Sequence, residues 1–147
     1  MTDYRIEPIA AEHLCDVARL EEICFSEPWS EAALGLLLTE AALGFVCLWG
    51  GRAVAYGGML LAPDEGQITN IAVDPDHRRR GLGTLLMKRL ERAARERGLL
   101  QIALEVRASN EAAIALYERT GYTVAGRRPN FYKDPREDAL VMLRAFG

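Results

Sequence analysis

Apolar and polar residues change period repeatedly along this chain, and each change predicts an element. "YRIEPI" near the start reads as a short strand. Between Ala11 and Phe25, apolar residues at Leu14, Val17, Ala18 and Ile23 give an approximate helical stripe, with Leu20 off it. "SEPWS" breaks that pattern, and Ser30 predicts a cap for a second helix through "EAALGLLLTEA". "GFVCLW", the turn "GGR" and "AVAYGGMLLA" predict a hairpin, and "PDEG" turns the chain into a further strand, "QITNIAV". Leu82, Leu85, Leu86, Leu90, Ala93 and Ala94 then share a helical face, opposite Lys88, Arg89, Glu91, Arg92, Arg95 and Glu96, and Gly98 supplies a stop. "LLQIALEVR" predicts a strand and "SNEAAIALYERT" a helix with Gly121 just past its end. "YTVAGRR" and "DALVMLRAF" close the chain as two strands, with "PNFYKDPRE" between them as a loop. The order β-α-α-β-β-β-α-β-α-β-β is that of a mixed α/β sheet with helices on its faces.

Composition narrows the function classes. The chain has 147 residues, 50% hydrophobic and 27% charged, as expected of one globular domain spanning residues 1–147. A net charge of −3 offers no global polycation for nucleic acid or an anionic membrane, so any basic cluster must act locally. The N-terminus lacks a signal-peptide pattern, and no apolar run is long enough to span a bilayer. Cys15, Cys24 and Cys47 are odd in number and lack a CxxC spacing, which fits buried thiols in a reducing cytoplasm. With His13 and His77 as the only histidines, a multi-histidine metal site is excluded and no metal is expected.

The local basic cluster is "IAVDPDHRRRGLG". The first turn of a helix has N–H groups without intrahelical partners and a positive dipole end. Gly81 and Gly83 would let a bulky anion approach that backbone, and Arg78, Arg79 and Arg80 would add charge and bidentate hydrogen bonds. The junction suits a di- or polyphosphate. It is not a Walker loop, because Thr84-Leu85 follows the second glycine, and Leu86 breaks a dinucleotide G-x-G-x-x-G. An ordinary solvated basic turn ahead of a helix is the other reading.

Further along, "LEVRASNEAAIALYERTGY" adds a second, more specific motif. Together with "FSEPWSE", "NIAVDPDHRRRGLGTLL" and "REDALVM", in that order, the chain from Phe25 onward resembles the GCN5-related N-acetyltransferases (GNAT), and within them the bacterial RimI-type branch. That resemblance implies a GNAT fold, α/β with a mixed, mostly antiparallel central sheet and helices on both faces. It implies acetyl-coenzyme A as cosubstrate and the N-terminal alanine of a small-subunit ribosomal protein as acceptor. A cytoplasmic monomer is expected. "RRPNFYKDPRED" departs from the branch at Pro129, in a loop that meets substrate in the family.

Acetyl transfer to an amine needs a base for the ammonium and an acid for the departing sulfur. Ile102, Leu104 and Val106 share one strand face, leaving Glu105 on the other, as a general base or as a solvent-facing carboxylate. The resemblance places the family's base at Glu105 and its acid at Tyr117, which otherwise reads as an inward core tyrosine. It also implies that Ile71, Ala72 and Val73 pair their backbone with pantetheine, that Arg78 to Thr84 (with Leu82) hold pyrophosphate, and that Asn110, a capping residue by position, meets the coenzyme. Phe25, Pro28 and Trp29 on one side, and Asn130, Phe131 and Tyr132 on the other, would flank the amine entrance. Two rivals remain: a GNAT enzyme for small amines or lysine side chains, and a coenzyme A-binding sensor without turnover.

Overall fold

A computed structural model describes residues 3–146. Seven strands form one sheet in the order β1-β2-β3-β4-β5-β7-β6. The strands are β1 (Arg5–Pro8), β2 (Ala42–Trp49), β3 (Arg52–Leu61), β4 (Glu65–Val73), β5 (Gln101–Arg107), β6 (Thr123–Lys133) and β7 (Arg136–Ala145). Every neighbouring pair is antiparallel except β4 with β5. Helices α1 (Leu14–Cys24) and α2 (Glu31–Leu34) precede β2, α3 (Leu82–Glu96) connects β4 to β5, and α4 (Glu111–Arg119) follows β5.

The sheet separates two cores. One gathers Leu82, Leu86, Met87 and Leu90 of α3 and Tyr117 of α4 against Ala55, Met59 and Ile102. The other packs Val17, Leu20, Leu34 and Leu37 against Val46, Tyr56 and Ala72. Helices therefore lie on both faces, as the mixed α/β pattern requires. Each fully buried large apolar side chain contributes about 1.5–3 kcal/mol.

Several local expectations are corrected. Leu85 of α3 is 46% exposed and Met87 takes its place, because the buried arc centres on Leu86 and Leu90. In α1, Leu20 is fully buried and Ile23 is 47% exposed, so the stripe runs through Val17, Leu20 and, unexpectedly, Glu21. The second helix stops at Leu34 and tightens into a 3₁₀ turn over Gly35–Leu38, although Ser30 does cap it, accepting from the Ala33 N–H at 3.1 Å. The anticipated loop between the closing strands is instead a continuous hairpin to Lys133 and Arg136. Its register slips between Arg128 and Tyr132, so Pro129 to Phe131 bulge opposite Asp138, where a residue without N–H breaks no ladder bond.

The β4–β5 pair positions the site. The two strands pair only over Glu65–Gln67 and Gln101–Ala103, then part. At that point β4 carries a bulge: Gly57 faces Ile71 and Met59 faces Ile68, so Thr69 and Asn70 together oppose Gly58. A bulge bends its strand and strengthens the local twist. Beyond it, the β4 edge from Ile68 to Val73 and the β5 edge from Leu104 to Arg107 are left facing a common cleft.

Candidate active site

The cleft has a volume of about 450 Å³ and runs through the sheet where the two strands diverge. Glu105 reaches it from β5 and Tyr117 from α4, while Phe25, Trp29, Phe131 and Tyr132 line its mouth. Two members of the expected entrance lie elsewhere. Pro28 is exposed outside the lining, and Asn130, at φ +53°, turns the β6 bulge and donates its N–H to Asp138 Oδ1 at 2.9 Å.

Alternation along β5 buries Ile102, Leu104 and Val106 and leaves Glu105 half-buried on the cleft side. Its Oε2 lies 3.5 Å from the Arg128 guanidinium, which reaches over from β6. The carboxylate is thus already set to face a cation. Tyr117 is 8% exposed, and burial, reinforced by the nearby Tyr132, holds its phenol above the ordinary tyrosine value. Its hydroxyl finds no hydrogen-bond partner among the described residues, as is also true of the buried Tyr122 hydroxyl. Burial likewise pushes Tyr132 up to about 12, against the opposing Arg107 charge.

Cys24 also lines the cleft, a contact its sequence position did not signal. Burial raises its pKa, and its thiol donates to the Val73 carbonyl at 3.5 Å. A thiol held protonated is a poor nucleophile, so it gives no sign of acting as an acyl carrier. The expectation of three buried thiols is corrected as well, since Cys15 is exposed.

The arginine–glycine junction forms the far end. Gly81 caps α3 with φ +77°, and no side chain caps the helix or places acid in its first turn. Space beside Gly81 is open, whereas a Cβ on Gly83 would lie 3.1 Å from Leu116 Cδ2 of α4. Gly83 therefore serves helix packing, and Gly81 the turn and the approach to the backbone. Replacing Gly83 with valine should destabilise the fold by about 1–3 kcal/mol through overpacking. Chemical denaturation checks this, and an unchanged midpoint would show that Leu116 yields freely. Arg78 is also placed differently, its Nε donating to the Val73 carbonyl at 3.1 Å, while Arg79 turns the loop at φ +64°. Asn110 caps α4 by accepting from the Ala113 N–H at 3.1 Å and lines the cleft as well.

Two further residues escaped sequence reasoning. Arg107 ties the entrance walls together: it donates to the carbonyls of Pro135 at 2.8 Å and Asp134 at 2.9 Å and to Ser26 Oγ at 3.2 Å. It also pairs with Glu137 and Glu27 and lies over the Tyr132 ring at 4.3 Å. Glu21, fully buried, accepts from the Trp29 N–H at 2.8 Å, from Asn70, and from the Tyr56 hydroxyl. The adjacent polar pair in "QITNIAV" was the available signal, because it breaks strand alternation where the bulge lies.

The sheet split thus brings a carboxylate, Glu105, and a phenol, Tyr117, into one cleft near an uncapped, arginine-flanked helix start. The chain belongs to the acetyltransferase (GNAT) family, whose sequence model matches residues 14–122. It is 42% identical over 125 residues to the ribosomal protein bS18-alanine N-acetyltransferase of Escherichia coli K12, covering 84% of each chain. A putative enzyme of the same description from Bacillus subtilis 168 is 33% identical over 143 residues, covering 96% of this chain and 95% of its own. The crystal structure of the Escherichia coli ribosomal-protein-S18-alanine N-acetyltransferase superposes with a TM-score of 0.90 at 37% identity, over 97% of this chain and 94% of that one.

Proposed function

We propose that this chain transfers acetyl from acetyl-coenzyme A to the α-amine of a protein N-terminus, with the N-terminal alanine of ribosomal protein bS18, the substrate in its relatives' names, as the leading acceptor. The observation that carries this reading is one cleft holding Glu105 and Tyr117 between two aromatic walls. Three free thiols agree with a cytoplasmic setting.

Acetyl-coenzyme A supplies a thioester acyl donor, and this chain's residues do the rest. The β4 edge at Ile71–Val73 faces the cleft and offers main-chain groups to the pantetheine amides, as a further strand would take them, apart from the Val73 carbonyl, which already accepts from Arg78 Nε and Cys24 Sγ. The free N–H groups of Leu82, Gly83 and Thr84, with Arg79 and Arg80, hold pyrophosphate at the positive helix end. Arg78 contributes mainly by bracing the strand from which the loop departs. The amide nitrogen of Asn110 stays available to the coenzyme while its oxygen caps α4. Glu105 takes a proton from the acceptor ammonium, displacing Arg128, directly or through a water. Tyr117, kept protonated by burial, gives its proton to the departing sulfur.

Substrate choice follows from the walls. A chain terminus carries backbone groups for both sides of the entrance, whereas a lysine stem carries none. Each lost hydrogen bond costs about 0.5–1.5 kcal/mol. With two or three lost, an alanine-initiated peptide should outcompete internal lysines and polyamines by about a hundredfold in kcat/KM. Mass spectrometry of a mixed panel after incubation with acetyl-coenzyme A is the test. Equal lysine and α-amine acetylation would leave only a general acetyltransferase.

A further inference from the structure

The β4 bulge holds a polar group that the chemistry above leaves unused. Along β4, Ile68 and Ile71 belong to the core beneath α3, and Ala72 to the core beneath α1. Strict alternation would send only one of Thr69 and Asn70 toward α1. The extra bulged residue sends both: Thr69 Oγ1 lies on the side of Gly58 that Leu37 also covers, and Asn70 reaches Glu21 of α1. Asn70 is half-buried and stands in the cleft wall near Trp29, on the side where the acceptor enters.

Its orientation is dictated by its neighbour. Asn70 Nδ2 lies 2.9 Å from Glu21 Oε2 and 3.2 Å from Oε1. A carboxylate only accepts hydrogen bonds, so the amide nitrogen must face it. Glu21 is held in turn by the Trp29 N–H and the Tyr56 hydroxyl, and it sits fully buried. Asn70 cannot flip without setting two oxygens against each other. The amide oxygen is therefore turned away from Glu21, and it accepts no hydrogen bond among the described residues. A fixed, half-buried acceptor without a partner in a ligand cleft is matched to a donor on the ligand.

Resting on the N-terminal acetyltransferase reading, we propose that Asn70 Oδ1 accepts the first peptide N–H of the acceptor chain, with Glu21 as the positioning residue that aims it. The α-amine itself faces Glu105 on the opposite strand. The next hydrogen along a chain terminus is the peptide N–H of the second residue, and a lysine stem has no counterpart to it. This contact gives one of the wall hydrogen bonds a specific address.

The test is a pair of alanine-initiated peptides identical except that one replaces the first peptide N–H by an ester oxygen. Reaction of both with acetic anhydride corrects for intrinsic amine reactivity. The parent enzyme should prefer the amide by about fivefold to tenfold in kcat/KM, the size of one lost hydrogen bond with its acceptor left unpaired. Asn70→Ala should bring that ratio close to one while the KM for acetyl-coenzyme A stays at the parental value. Glu21→Gln should also collapse the ratio, because the new amide can donate to Asn70 and let it turn its nitrogen into the cleft. A merely structural role for either residue would lower both substrates together and leave the ratio intact. No amide preference in the parent enzyme overturns the proposal without any variant, so poor folding of Asn70→Ala does not shelter it. A preference that persists in folded Asn70→Ala, or in Asn70→Ser, overturns it equally. Failure of the parent enzyme to acetylate either α-amine, with lysines acetylated instead, overturns the N-terminal reading first and this proposal with it.

Discussion

Glu105→Gln should lower kcat by about 10²–10⁴, the range for losing a positioned proton acceptor, with little change in the KM for acetyl-coenzyme A. Glutamine keeps the shape of the side chain and its place on β5, where Ile102, Leu104 and Val106 anchor the opposite face. Among the described residues the only ion pair forfeited is that with Arg128, at 3.5 Å and largely solvated on the arginine side. Such a pair is worth at most about 1 kcal/mol, so folding should be nearly unaffected and the loss will report chemistry. Steady-state rates with an alanine-initiated peptide, alongside a melting curve, separate the two. Near-parental turnover at saturating substrate would reduce Glu105 to a solvated carboxylate on an exposed strand edge.

Tyr117→Phe should cost a comparable factor, about 10²–10⁴ in kcat, for loss of a positioned proton donor. No hydrogen bond within the described residues is lost with the hydroxyl, so the variant should fold and bind coenzyme like the parent. The pH profile adds an independent check. Burial raises the Tyr117 pKa, so the donating form persists below that raised value and is lost only above the ordinary tyrosine value near 10. The parent rate should rise as the acceptor α-amine loses its proton around pH 8 and then hold level to about pH 9.5. The phenylalanine variant should show the same rise at a lower plateau. An alkaline fall near pH 8–9 in the parent that vanishes in Tyr117→Phe would contradict a buried, protonated phenol.

Sequence periodicity alone determined most of the architecture. The strict alternation of "QIALEVR" assigned Glu105 to its face, and the helical spacing of "AAIALY" turned Tyr117 inward, because both depend on neighbours only a few residues away. The arginine–glycine junction was legible for the same reason, since a helix start declares its free N–H groups wherever it occurs. The tertiary structure decided what local pattern could not: that Gly83 meets Leu116, that Arg78 turns back onto β4, and that Pro129 sits in a bulge of a continuous hairpin. Glu21 is the sharpest case. A charged residue on a helix reads as solvated until Tyr56, Asn70 and Trp29, 8 to 49 positions away in the chain, converge on it as donors. Burial of a carboxylate becomes tolerable only once those hydrogen bonds exist, and they exist only in the folded chain.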